Sequence, residues 1–220
     1  KFMDDSKAGT PDPTWSGSKN VTDAPCLRYA EVLLNYAEAA YELHLLKGTA
    51  FTQADLDKSI NLIRAREDVK LPALQIVGGQ PAVNGVVFDD PKRLQIEQNA
   101  DGGITDALLW EIRRERRVEL CMEGFRLNDL KRWCKLDYLW NGCNPDIRYG
   151  SYIRLSDYPN KAAEVVLEDA TATEGYILRN TLGQRNRPIK RNYINPIPSG
   201  QITLYKTKGY TLSQNTEWGW

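Results

Sequence analysis

The stretch RRERRVELCMEGFRLNDLKRW, residues 113–133, gathers the side chains best suited to chemistry: four arginines in five positions, followed by glutamates at 119 and 123. Three chemistries compete for it. A phosphate or nucleic-acid site needs its arginines on one side. Here they distribute around most of a helix and alternate with glutamates, which predicts mutual pairing. A glycosidase-type carboxylate pair needs two acids roughly 5–9 Å apart across an open cleft. Glu119 and Glu123, four residues apart, meet the spacing, but nearby arginines would hold both as anions rather than prepare one as a general acid. The third chemistry is structural. At about 100° per residue, Leu108, Ile112, Glu119 and Glu123 share one sector, with Arg116, Leu109 and Leu120 beside it. Carboxylates in an apolar sector must find cationic partners. Arg116, Glu119 and Glu123 are therefore expected to form structural ion pairs, with Glu111–Arg114 and Glu119–Arg116 at favourable helical offsets.

Other reactive types are sparse. The single histidine, His44, lies on an apolar helical stripe, where a satisfied core position is the expectation. Cys26, Cys121, Cys134 and Cys143 follow no zinc spacing, so no metal site is expected. Cys134 and Cys143 flank a turn-rich run, LDYLWNGCNP, and can bridge in an oxidising compartment; separate buried thiols are the other reading. There is no GxSxG elbow, P-loop or GxGxxG fingerprint, so no cofactor is implied and nothing requires an enzyme. The chain's 29 basic and 29 acidic residues balance, which speaks against a dedicated nucleic-acid binder. No apolar run reaches the roughly 18 residues of a membrane span.

The elements that must position these groups read as mainly α. Residues 1–25, rich in Pro, Gly, Ser, Thr and Asp, suggest an extended surface segment. A helix follows from near Cys26, with Ala30, Leu33, Leu34, Ala37, Ala40, Tyr41 and His44 as its stripe and Lys47-Gly48 as its end. Thr52 and Asp55 form a capping box for a second helix carrying Leu56, Ile60 and Ile63. The two make a helical pair of the kind that builds tetratricopeptide arrays. Residues 72–104 are punctuated by Gly78-Gly79, Asn84-Gly85 and Asp90-Pro91, and predict a long loop with a short hairpin around VNGVVF. Thr105 is placed to cap the arginine-rich helix and Gly124 to end it. Beyond Trp133, short β-like runs (RYGSYIRL, AEVVLE, GYILRN) suggest a few small strands among long irregular loops.

Three blocks, in order, carry a further signal: LRYAEVLLNYAEA (27–39), ERRVELCMEGFRLNDLKRW (115–133) and NYINPIPSGQITLYKTKGYTLSQN (192–215). Together they resemble signature blocks from the C-terminal region of the SusD/RagB family. Small departures are Gln201, where the family often has Glu, and an ending NTEWGW in place of Asn-Pro-Gly-Tyr. The resemblance implies a single domain over residues 1–220, belonging to a longer protein, with a SusD-like fold of helical pairs. It also implies a lipid-anchored protein of the Bacteroidetes outer membrane, facing outward, anchored through a cysteine outside this chain. Such a protein would bind an oligosaccharide or sometimes a peptide and pass it to a SusC-like TonB-dependent transporter. On that expectation, sugar rings would stack on aromatic side chains while amides bond the hydroxyls. The loop residues Trp15, Trp140, Tyr149 and Tyr152, with Asn141 and Asn144, are the candidates. The alternative is a scaffold in which the helical pair and the 72–104 segment contact the transporter and touch no sugar.

Overall fold

A computed structural model describes residues 26–158, 165–178 and 186–218. The expected segment 1–25 and Trp15 lie outside these residues. Within them the chain is mainly α, with seven α-helices, short 3-10 turns and two small antiparallel sheets.

Helix α1 (Tyr29–Lys47) buries the predicted stripe of Ala30, Leu33, Leu34, Ala37 and Tyr41. Gly48, at φ 68°, closes it by donating its N–H to the His44 carbonyl at 2.8 Å. The His44 Nδ1 lies 2.6 Å from the Thr49 carbonyl oxygen, which can only accept, so His44 also helps finish this helix end. The expected second helix is two short ones, α2 (Gln53–Asp57) and α3 (Ile60–Arg64). The break falls at Ser59, whose hydroxyl donates to the Asp55 carbonyl at 2.5 Å and so competes with the helical ladder. The capping box stands: Thr52 and Asp55 exchange bonds in both directions.

Residues 72–104 are more ordered than a long loop, and the expected hairpin around VNGVVF is present as part of a larger meander. Strands β1 (Leu74–Val77), β2 (Gln80–Val83) and β3 (Val86–Val87) form an antiparallel meander in that order. Its turns place Gly78 and Gly79, then Asn84 and Gly85, at positive φ, the geometry that two-residue hairpins require. Asn61 pins the first strand: its amide donates to the Leu74 carbonyl at 2.9 Å, and its oxygen accepts the Leu74 N–H at 2.7 Å. Asp90-Pro91 then starts helix α4 (Pro91–Glu97). Asp90 accepts the Lys92 N–H at 2.9 Å, and Pro91 occupies the first helical position, where no donor is missed.

Helix α5 (Ala107–Glu119) is capped by Asp106 rather than Thr105; Asp106 Oδ1 accepts from the Leu108 and Leu109 amides at 2.9 and 3.1 Å. Thr105 instead donates its hydroxyl to Glu97 at 2.7 Å. The helix ends at Glu119, before Gly124, and a turn leads into α6 (Arg126–Arg132). Leu108, Leu109 and Ile112 join the α1, α2 and α3 apolar residues and Leu74 in the main core. Each such side chain contributes about 1.5–3 kcal/mol by leaving water. A second cluster holds Ile96, Leu130, Trp133, Leu136, Tyr138 and Cys143.

The later β-like runs form β4 (Tyr149–Arg154) and β5 (Glu174–Leu178), paired antiparallel, with a bridge from Leu167 to Ile177. Helix α7 (Ser199–Thr207) lies near the end. Cys134 and Cys143 are not joined. Cys143 is buried with its thiol 2.9 Å from the Ile96 carbonyl and Cys134 is exposed, so the two thiols are separate but only one of them is buried. Among the described residues no helix is long and apolar enough to cross a membrane, and no cluster of ligating side chains could hold a metal ion.

Candidate ligand-binding cavity

The charged helix does two things on two faces. Its inward acids are taken by arginines from other elements. Glu119 receives both Arg66 terminal nitrogens at 2.8 Å and Arg28 at 3.0 Å, and Glu123 receives Arg28 at 2.6 and 2.9 Å. Glu115 meets Arg64 at 2.5 Å; burial pushes its carboxyl upward against the pull of that arginine. Arg116 reaches Asp129 at 2.9 Å and Asn35 at 2.7 Å. Arg116, Glu119 and Glu123 all form ion pairs, but with partners other than the helical offsets suggest, and Glu123 does so from an exposed turn beyond the end of α5 rather than from the apolar sector. Glu119 and Arg116 do not bond each other; each reaches across to another element. Within the helix, Glu111 and Arg114 do pair, through two bonds of 2.6 Å. Arg28 bonds both Glu119 and Glu123, and neither carboxylate is among the residues lining the open cavity on the outward face of α5.

These contacts also explain two of the sequence blocks. Arg28, Asn35 and Glu38 from the first bond Glu119, Glu123, Arg116 and Arg132 from the second. Glu38, buried, takes Arg132 at 2.8 and 2.5 Å together with the Trp133 indole N–H. The third block meets the second where Lys131 donates to the Asn195 side-chain oxygen at 3.3 Å, and just beyond the second block the Tyr193 hydroxyl accepts the Leu136 N–H at 3.0 Å.

On the outward face of α5 lies an open cavity of about 480 Å³. Helix α5 supplies Trp110, Arg113, Arg114, Arg117 and Val118. Helix α4 with its cap adds Asp90, Lys92 and Ile96, and α6 adds Arg126 with Trp133 beyond its end. The segment after them contributes Tyr138, Asn144, Asp146, Ile147 and Tyr149. Trp110 is held by its indole N–H donating to Asp90 at 3.0 Å, with its ring tilted against Tyr138 at 5.7 Å. The Arg113 guanidinium lies 4.6 Å from the Trp133 ring centroid and bonds Glu42 at 2.8 Å. Arg126 lies 5.7 Å from the same ring.

Of the sequence candidates, Asn144 and Tyr149 line this cavity. Tyr149 stacks on Tyr176 at 5.9 Å and 13°, and Tyr152 meets Tyr176 edge-on at 5.3 Å, so three tyrosines run outward from the rim. Tyr152 and Tyr176 are exposed. Trp140 and Asn141 are not brought to the cavity. Trp140 packs against the second core cluster beneath Arg187, and its ring lies over Gly142, where a Cβ would come within 2.3 Å. Trp110, Trp133, Tyr138 and Tyr176 were missed, as was the convergence of arginines. The signal was present: at about 100° per residue, positions 110, 113, 114 and 117 fall within one arc of about 100°, and only Arg116 points away. Counting four arginines together concealed the three that agree.

Helical packing that holds an open, aromatic-lined and polar cavity has the make-up of a small-molecule binding module. The SusD family model matches residues 1–218, and the chain belongs to the SusD family. No curated protein and no solved structure matches it.

Proposed function

We propose that this chain is the binding part of a cell-surface nutrient-capture protein that takes up an oligosaccharide and delivers it to a SusC-like TonB-dependent transporter. Membership of the SusD family over nearly the whole chain supports the class. One observation carries the ligand: Asn144 and Tyr149 at the cavity rim continue into the Tyr176 and Tyr152 rings, the latter 52% exposed. Apolar sugar faces stack on such rings while amides and carboxylates bond the hydroxyls. The reading includes an outward-facing place at the outer membrane, with the lipid anchor supplied outside this chain, and binding rather than catalysis. Calorimetric titration with a panel of oligosaccharides tests it. Binding to a member of the panel, weakened at least fivefold by Tyr152→Ala or Asn144→Ala, is the expected result. Absence of binding across the panel, or binding indifferent to both changes, refutes it.

The scaffold reading has one observation of its own. Strand β3 presents Val86 and Val87 to solvent at 69% and 46% exposure. These residues fit a contact with the transporter. Val86→Glu should then weaken co-purification with the transporter and leave sugar titration unchanged; deleting the turn is the poorer test, because β2 buries Pro81 and Ala82.

A further inference from the structure

The cavity is not electrically neutral. Five of its lining residues are cations and two are carboxylates. Most of these charges are already paired: Lys92 bonds Asp146, Arg114 bonds Glu111 and Arg113 bonds Glu42. Two of the cations are not. Among the described residues neither Arg117 nor Arg126 hydrogen-bonds a carboxylate, and the Arg117 charge opposes that of Arg126. Asp129, whose charge reaches Arg126, has its two oxygens committed to Arg116 and Arg132 at 2.9 and 3.0 Å. Asp90 is likewise engaged by Trp110 and by the Lys92 amide. Burial first, and then the Arg117 charge, lower the Arg126 guanidinium to about 10, which leaves it cationic at neutral pH. A half-buried cation beside a like charge, facing an open cavity, is an unfavourable arrangement that an anion would relieve. Guanidinium groups meet carboxylate and sulfate oxygens in paired, planar bonds.

We propose that the cavity selects saccharide units bearing an anionic group, a carboxylate or a sulfate ester, seated between Arg117 and Arg126 with the sugar ring turned toward Tyr149. The inference rests on the saccharide-binding reading and adds the ligand's charge. A free acidic peptide shares the charge but presents no stack of ring faces for Tyr149 and Tyr176, so the saccharide is the favoured occupant.

The test is calorimetric titration of the chain with four probes: a tetrasaccharide of galacturonic acid, its carboxyl-reduced neutral form, a sulfated carrageenan tetrasaccharide, which carries sulfate esters and no carboxylate, and an acidic tetrapeptide. Wild type, Arg117→Gln, Arg126→Gln and Arg126→Lys are compared. Arg117 is exposed, so its variant should keep the fold even if the Arg126 variants do not, and near-ultraviolet dichroism checks all three. The expected result is an acidic probe binding at least tenfold more tightly than the neutral one. That advantage should be lost in both glutamine variants and partly kept by lysine. The probe that gains most distinguishes uronate from sulfate ester. Equal binding of acidic and neutral probes, or full affinity in a folded Arg117→Gln protein, overturns the charge assignment and leaves saccharide binding intact. No binding by either acidic saccharide, while neutral members of the wider panel bind, does the same. Binding of an acidic tetrapeptide through Arg126 with no sugar bound by any protein overturns both.

Discussion

Lys135→Met tests the packing that supports the cavity. Lys135 and Glu97 form an ion pair of 2.6 Å whose side chains are 5% and 0% exposed. The ammonium also bonds the Asp101 and Gly103 carbonyls at 3.1 and 2.8 Å. The carboxylate further accepts from the Thr105 hydroxyl, the Thr105 amide and the Tyr138 hydroxyl. Methionine keeps the volume and removes the charge. Glu97 then retains three neutral donors but no counter-charge, and two carbonyls lose a partner. Removing one member of a buried pair costs about 3–5 kcal/mol, a large share of the roughly 5–15 kcal/mol that holds a domain together. At about 2–4 °C per kcal/mol for a chain of this size, the melting temperature should fall by roughly 6–20 °C. Urea unfolding followed by tryptophan fluorescence, with a thermal scan alongside, measures this. The double variant Glu97→Leu/Lys135→Met, which leaves no stranded charge, should recover much of the loss. A cost below about 1 kcal/mol for Lys135→Met alone would refute the reasoning, since it would mean that water or another cation reaches Glu97.

Asn61→Ala strands the buried Leu74 amide and carbonyl together, and should lower stability by about 1–3 kcal/mol in urea titration. Thiol labelling under native conditions should modify exposed Cys134 promptly and Cys143 only on unfolding, because burial raises the Cys143 thiol to about 11; a mass increment at Cys143 in the folded protein would contradict this. The Lys58 ammonium first, then the Tyr36 hydroxyl and the Thr52 amide, hold the Asp55 carboxyl well below the usual range. Its stabilising contribution is therefore present above the ordinary carboxylate pKa and lost as pH falls through the depressed folded value. The stability gap between wild type and Asp55→Asn should accordingly narrow as pH is lowered from 6 toward 2.

Much of the helical frame was legible because periodicity and end signals agree locally. The α1 stripe, its Gly48 stop and the Thr52–Asp55 box each depend on residues within a few positions of one another. Where two signals conflicted, the reading failed. Asp90-Pro91 reads as the punctuation of a loop although the same pair caps and opens a helix, and Ser59 cuts a stripe that apolar spacing alone would continue. The candidate site was legible only at Asn144 and Tyr149. Trp133 and Tyr138 look like ordinary core residues in one dimension. Whether Arg117 and Arg126 have counter-charges depends on where Asp129, Glu42 and Glu111 end up, which the linear order of residues does not reveal.

The bonds between α1 with its N-terminal flank and the α5–α6 segment span 71 to 95 residues of chain. A polypeptide leaves the ribosome from its N-terminal side at about 5–20 residues per second, so α1 emerges several seconds before its partners. During that interval Glu38 and Arg28 lack their α5 and α6 partners, and the apolar stripe beside them lacks Leu108, Leu109 and Ile112. Long-range closure of this kind slows folding, and it makes the nascent α1 hairpin the stage at which a chaperone would have most to protect.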